Sequence, residues 1–478
     1  YDIVVEVALV RPGPIQGDAV NPYIRRRLGR EEVDYLHDSL RPALAKTLGV
    51  PLFQEQLMRI AVDAAGFSPA EADALRQAMS SKRSAERMEA LHLRLVEGMT
   101  VRGIDAGTAE TVFDKLRAFA DFGFPESHAL SFAHLVYASA WLKVRRPEDF
   151  YAGLLASQPM GFWSPQTLVA DARRHGVRVL PADVNASREE ACVRTRGQEA
   201  GQGPCEGDGD AGWEPLHPSP SALSPLETHP DLAVRLGLAR LKGLGGRAAA
   251  AIVSERLAHG PYTDVADLAR RVRLNRRRLE TLAAAGALAS LGVGRRQALW
   301  AAGALSGEHG RTTGEAEGSG RWYQPPLPGT AVGARAPHLP PMTDRERQAA
   351  DLRLTGTSTR GFPTAFVRPD LARSGVLPIA EAVRRGAGER VHVAGVVTHR
   401  QRPGTASGTV FLNLEDETGL LNVVCSAGMW KRYSRVGRRA SALVVRGLVE
   451  SADGATSLVA DRLQALGGIE TAGSRDWC

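Results

Sequence analysis

The chain has 478 residues, 43% of them apolar and 24% charged, which at roughly 150 residues per domain suggests about three cored domains and excludes disorder throughout. No apolar run approaches the roughly 20 residues of a membrane-spanning helix, and the N-terminus carries neither the basic nor the apolar region of a secretory signal. Lys and Arg number 60 against 53 Asp and Glu, a net charge of +7 with an isoelectric point near 9.4, a balance that suits a polyanionic partner such as nucleic acid.

The sequence opens on Tyr1-Asp2-Ile3-Val4-Val5 without a Met and reads like the middle of an element, so further chain upstream is expected. Cys192, Cys205, Cys425 and Cys478 stand far apart with no CxxC pair, which argues against a zinc site or disulfide framework and for a reducing cytoplasm. To about Ser187, helical patterns alternate with short breakers. Ser68-Pro69-Ala70-Glu71 is a helix start with a capping box, and the helix it opens carries Leu75, Met79 and Arg76. Val112, Leu116 and Phe119 have the spacing of a buried stripe, and Leu130, His134, Tyr137 and Trp141 repeat it before the stop at Pro147.

Gly, Pro, Ser and acidic residues dominate from about Arg188 to Pro230 and again from about Ser306 to Pro341, and both stretches read as loops or disordered inserts. Between them lies an Ala- and Arg-rich segment that reads as helix, Gly-x-Gly hairpin, helix around Leu238–Arg256, with a half-similar unit over Arg273–Gly286. The glycines permit a tight turn whose amides and following helix N-terminus face a phosphate, with Lys242 and Arg247 adding charge beside Gly243 and Gly245. The last portion changes period from 3.6 to 2. Strands are predicted over Arg390–His399, Thr409–Glu415, Gly419–Cys425, Ser441–Glu450 and Ser457–Leu466, with a helix around Met429–Val436 after the third. That is the order of an OB-type barrel.

On that barrel, Arg400 and Arg402 stand in a basic, turn-rich loop, Phe411 and Asn413 alternate along the second strand, and Trp430 to Tyr433 follow the third. A positive groove with aromatic platforms suits single-stranded nucleic acid. In the N-terminal part, Arg11-Pro12-Gly13-Pro14 precedes the basic run Arg25–Arg27. Arg76, Lys82 and Arg83 can converge on one anion, and the turn Phe122–His128 offers Ser127 and His128 to a phosphate. No GxxxxGK[ST], HExxH or GxSxG pattern occurs. Asp208 and Asp210 form a DxD inside the Gly-rich insert, without the rigid support a metal site needs, and Asp416 reads as a hairpin-turn residue.

The strings Ala8–Pro14, Phe53-Gln-Glu-Gln56, Leu75–Met79, Phe122–His128 and the tandem hairpins closely resemble the C-terminal half of bacterial C-family DNA polymerases. Gln158–Phe162, Asp171–Gly176, Val396–Pro403 and Asn413–Gly419 resemble the error-prone branch, and the resemblance covers nearly the whole chain outside the two linkers. It implies a multidomain α+β protein. Mainly helical polymerase fingers would occupy residues 1–187, a Gly/Pro-rich insert 188–230, tandem helix-hairpin-helix units 231–305, a linker 306–341 and a connecting segment 342–388. An OB-fold would follow at 389–467 and a tail at 468–478.

The activity implied is DNA-directed nucleotide addition in damage-induced translesion synthesis. Arg76, Lys82, Arg83 and His128 would bind the deoxynucleoside triphosphate. Lys242, Gly243, Gly245, Arg247, Arg400, Arg402, Phe411 and Asn413 would hold primed DNA and single-stranded template. Damage-response accessory proteins and, directly or through them, the sliding clamp are implied partners, and no membrane. The catalytic palm aspartates and their Mg²⁺ would lie upstream of Tyr1, so no catalytic or metal-binding residue is assigned here and the chain alone is expected to be inactive. Gln77 and Ser80 stand where similar polymerases usually have Arg and Gly. The alternative is a non-catalytic DNA-binding or scaffold protein that lacks a palm.

Overall fold

The structure, a computed structural model, describes residues 1–10, 20–79, 84–120, 124–195, 226–306, 336–403, 406–452, 455–471 and 474–477. Two compact units emerge, Tyr1–Ala140 and Trp141–Cys478. Residues 141–187, read from sequence as the end of the N-terminal domain, fall in the second. No helix among the described residues is long and apolar enough to cross a membrane.

The first unit is helical. Ser68 and Glu71 form the predicted capping box, with Ser68 N donating to Glu71 Oε2 at 2.7 Å and Glu71 N to Ser68 Oγ at 3.3 Å. Leu75, Val112 and Leu116 are buried with Leu57, Phe67, Leu95 and Met99 in one core. A second core joins Val4, Val5 and Leu9 of the helix Asp2–Leu9 to Phe53, Ala129 and Ala133. Gln56 pins the start of the helix Gln54–Ala65, accepting from the amides of Leu52 and Phe53 and donating to Ala43 O and Thr47 Oγ1.

The helix Glu126–Arg145 corrects one expectation. Leu130, Tyr137 and Trp141 are 49%, 64% and 51% exposed, and the buried side consists of Ala129 and Ala133. Small side chains let this helix approach the Val4–Phe53 core closely, and an apolar-periodicity reading passes over alanine in favour of larger residues.

In the second unit, helices Pro147–Ala156 and Pro165–Arg174 share a core with a three-stranded sheet and four further helices. The sheet consists of β1 (Val179–Leu180), β2 (Cys192–Thr195) and β3 (Leu232–Arg235), in the order β1-β3-β2. β2 lies inside the segment read as an unstructured insert and β3 just after it, and they pair antiparallel from Cys192↔Arg235 to Thr195↔Leu232. The insert's edges are therefore structured, and residues 196–225 lie outside the described residues. A single 3₁₀ turn, Leu238–Arg240, takes the place of the helix expected before the first hairpin. The helices that follow are Gly246–His259, Val265–Val272, Arg276–Ala284 and Arg295–Ser306.

The barrel matches its sequence reading. Its strands are β4 (Arg390–Gln401), β5 (Val410–Glu415), β6 (Leu420–Cys425), β7 (Ala442–Ala452) and β8 (Ala455–Ala465). They run β5-β6-β8-β7-β4, and β4–β5 pairing closes the ring. A short β9 (Arg475–Trp477) adds parallel to β4. β6 and β8 are parallel, and the helix Ala427–Arg439 connects β6 to β7. Val393, Val397, Leu412, Leu414, Val423 and Val445 fill the interior from alternate strand positions. Outside, β4 is covered: Ala394 packs with Leu371 and Val376, and Val396 with Ala170 and Phe362.

Candidate nucleic-acid interface

The first hairpin is built on two buried leucines. Leu241 and Leu244 are 2% and 1% exposed and anchor a turn whose intervening residues, Lys242 and Gly243, face solvent with Gly245 and Arg247. Gly243 and Gly245 have φ of +99° and +81°, a region L side chains rarely adopt. Gly245 starts the helix Gly246–His259 with no side-chain cap, so the first-turn amides are not occupied by a capping side chain of the hairpin. Aligned amides at an uncapped N-terminus make an anion site, and Lys242 and Arg247 add full charges beside it.

The second hairpin stands next to the first. A Cβ on Gly243 would lie 3.2 Å from Thr281 Oγ1 and 4.0 Å from Arg277 Nε, both on the helix Arg276–Ala284. Exposed Arg277 therefore joins Lys242 on one basic patch. The two units differ in their caps. Asn275 accepts from Arg278 N at 3.0 Å, so the second helix N-terminus is closed by its own side chain.

Arg256, on the helix after the first hairpin, is a packing residue. Its guanidinium donates to the carbonyls of Val184 and Ser187 at 2.5 and 2.7 Å. Burial lowers its pKa.

On the barrel the four predicted residues separate. Phe411 and Asn413 lie on the outer face of β5, half-buried, while Val410, Leu412 and Leu414 point inward. Register places them opposite Val424 and Asn422 of β6, on the strand 2–3 face that OB-folds use for oligonucleotides. Arg402 is exposed in the loop between β4 and β5, of which Gly404 and Thr405 lie outside the described residues.

Arg400 is corrected to a buried structural residue, 8% exposed. It donates from Nε to Gly437 O at 2.7 Å, and also to Ala440 O and Ser474 Oγ, closing the C-terminal end of the helix Ala427–Arg439. Trp430 likewise leaves the surface: it is 7% exposed in the barrel core, against Gly437. Tyr433 packs against the same core.

In the first unit, Arg76 lies on the helix Pro69–Met79 and pairs with Asp73 at 2.9 Å. Gln77 Nε2 donates to the other oxygen of that carboxylate at 2.8 Å. Hydrogen bonds from Arg76 and then Gln77 hold the Asp73 carboxyl below its ordinary range. His128, exposed, stands edge-on between Phe124 and Phe132, at 5.2 and 4.7 Å between ring centres.

The turn ahead of His128 joins the Phe53–Gln56 string: Gln54 N donates to Phe124 O at 3.0 Å, and Glu126 N to Glu55 Oε2 at 2.9 Å. A carboxylate thus already occupies the first amide of the helix where a phosphate was expected. The basic run is also engaged, Arg25 and Arg26 with Glu31 and Arg27 with Asp2. Arg11–Pro14, Ser80, Lys82, Arg83, Phe122, Gly123, Asp208 and Asp210 lie outside the described residues.

Among the described residues, no group of three or more His, Cys, Asp or Glu is placed to hold a metal ion. The acidic run Glu415–Glu417 is buried and occupied by protein donors. Asp416 Oδ1 accepts from Thr418 N at 2.7 Å and Gly419 N at 3.0 Å, which bears out its turn role. Its Oδ2 accepts from Ile379 N and Arg368. The Asp416 carboxylate is therefore already taken up by protein donors.

Sequence comparison covers the whole chain. An error-prone DNA polymerase from Nocardia farcinica is 50% identical over 475 residues, 98% of this chain and 37% of its own length. Those of Mycobacterium tuberculosis and Corynebacterium glutamicum are 49% and 47% identical over all of this chain and 39% and 40% of theirs. Residues 1–103 match the bacterial DNA polymerase III alpha subunit finger domain. The chain matches a region of C-family error-prone DNA polymerases.

This chain spans somewhat over a third of the length of the curated relatives it matches. Its residues 176–298 match a helix-hairpin-helix motif and 391–466 an OB-fold nucleic acid binding domain. The first match takes in β1, β2 and β3, in line with their packing against the hairpin helices. The solved asparaginyl-tRNA synthetase of Pyrococcus horikoshii aligns with 18% of this chain and 21% of its own, at 21% identity and a TM-score of 0.15, too low to bear on the fold.

Proposed function

We propose that this polymerase region grips primed DNA, template and the incoming deoxynucleoside triphosphate for an error-prone DNA-directed DNA polymerase of translesion synthesis. The observation that carries the reading is the open Gly243–Gly245 hairpin with Lys242, Arg247 and Arg277 beside an uncapped helix N-terminus, in a chain about half identical to error-prone DNA polymerases. Backbone amides and flexible cations bind phosphate without reading bases, as copying any template requires.

In this reading the hairpins hold duplex backbone, and Arg402, Phe411 and Asn413 face single-stranded template. Arg76, Lys82, Arg83 and His128 serve the triphosphate. For Arg76 this requires exchanging Asp73 for phosphate, a swap of one anion for another. The catalytic carboxylates and their Mg²⁺ belong to the remainder of the complete enzyme, which acts in the cytoplasm with accessory proteins and the sliding clamp.

The test is primer extension past a template lesion by the complete polymerase containing this region, with and without Lys242→Glu plus Arg247→Glu. Extension by the parent that the double variant loses supports the reading. Equal extension by both removes the hairpin from it. Mg²⁺-dependent extension by the 478-residue chain alone overturns the division of labour.

A further inference from the structure

The turn that precedes the helix Pro165–Arg174 combines a firmly held backbone with two large rings at the surface. Gln158, 7% exposed, braces it from within, accepting from Met160 N and donating to Trp163 O, each at 3.3 Å. From the barrel, His399 of β4 donates from Nε2 to the carbonyl of Phe162 at 2.7 Å. Yet Phe162 and Trp163 themselves are 56% and 41% exposed. Folding alone favours turning such rings inward. A fixed backbone that holds aromatic rings outward is what a stacking surface requires.

Their position gives the partner. Trp163 meets the His399 ring edge-on at 5.8 Å between centres. His399 is the register partner of Asn413, and Gln401 of Phe411. A β-bulge between Val397 and His399 puts His399 on the outer face with them. The turn thus caps one end of the outer face of β4 and β5, and Phe411 lies two residues, about 7 Å, along the strand from Asn413. The open positions of β5 and β6, Phe411, Asn413, Leu420, Asn422 and Val424, include no carboxylate, and exposed Arg402 borders them. The surface is aromatic at both ends, uncharged between, and flanked by a cation.

We infer that Phe162 and Trp163 extend the barrel's face into a composite platform on which unpaired bases of single-stranded DNA stack. The inference rests on the proposed reading of the barrel as a template-binding face. It adds a second chain segment to that face, from 236 residues upstream of His399 in the case of Trp163. Stacking on aromatic rings tolerates any base, so the platform holds template regardless of sequence.

The experiment is fluorescence anisotropy of a labelled oligothymidylate on the full 478-residue chain, comparing Phe411→Ala, Trp163→Ala and Trp163→Leu. The leucine keeps an apolar contact with His399 but has no π face, and it serves if the alanine variant unfolds. Each variant is expected to weaken binding about 5- to 100-fold. The salt slope and the affinity for blunt duplex should stay unchanged, because stacking involves no phosphate. An oligonucleotide of abasic sites should bind parent and Trp163 variants alike. Parental affinity in both Trp163 variants alongside a loss in Phe411→Ala overturns the inference and assigns the turn to a protein contact. Parental affinity in all three overturns the reading of the barrel face itself.

Discussion

Arg174 and Glu415, 241 residues apart in the chain, form a buried ion pair, with Nη2 3.0 Å from Oε1 and each side chain 1% exposed. Thr167 Oγ1 donates to the second oxygen at 2.8 Å, so the helix Pro165–Arg174 is fastened to β5 by a fully satisfied carboxylate. Burial raises the Glu415 pKa, and Arg174 opposes that rise. Removing Glu415 leaves the Arg174 guanidinium buried, with only the more distant Asp171 carboxylate, 3.8 Å away, as counter-charge. Glu415→Gln should therefore destabilise the second unit by about 3–5 kcal/mol, whereas Arg174→Met with Glu415→Leu should cost much less. Urea unfolding of the three proteins checks this, and near-parental stability of the single variant would contradict it.

Asp416 supplies a pH dependence of defined sign. Burial and then the neighbouring Glu417 raise its carboxyl to about 6. A raised carboxyl binds its proton more tightly in the folded state, so this group adds stability as pH falls through 6 and loses it as pH rises. The stability gap between parent and Asp416→Asn should widen by about 1 kcal/mol from about pH 7.5 to about pH 5. Thermal melts of both proteins across that range measure the gap. A gap that narrows on acidification would contradict the assignment.

Arg400 and Arg402 should behave oppositely, though two residues apart. Arg400→Lys cannot reproduce the guanidinium bonds to Gly437 and Ala440, so it should lower the melting temperature by several degrees and leave the salt slope of DNA binding intact. Arg402→Ala should leave the melting temperature alone and reduce that slope by about 1. Melts and salt titrations on the two variants decide between the roles.

The hairpin carries the largest electrostatic effect. Lys242→Glu with Arg247→Glu should flatten the slope of log K against log salt by about 2, one for each phosphate that the variant no longer neutralises. Adding Arg277→Glu should flatten it by about 1 more, since Arg277 shares the patch. Equilibrium titrations at several salt concentrations provide the slopes, and an unchanged slope would remove the hairpin from the interface.

What was legible in the sequence was local. The barrel's strands alternate inward and outward over six to twelve residues, a pattern that survives without knowledge of neighbours. The Ser68–Glu71 cap and the Gly243–Gly245 turn are likewise complete within a few residues. Arg400 and Trp430 misled because an arginine after a strand and a tryptophan beside lysine both read as surface, while their partners lie 37 and 7 residues away on the same helix. Glu415 shares its outer-face parity with Phe411 and Asn413, but only the helix that covers it makes it a core residue. β2 and β3 were hidden by the Gly-rich composition between them.

The backbone grip is tested most directly by equilibrium binding of this chain to primed DNA of two unrelated sequences over a range of salt. Log K should fall linearly and steeply with log salt, along one line for both sequences. Binding indifferent to salt, or tight binding to one sequence alone, would contradict a grip built from hairpin amides, Lys242, Arg247 and Arg277.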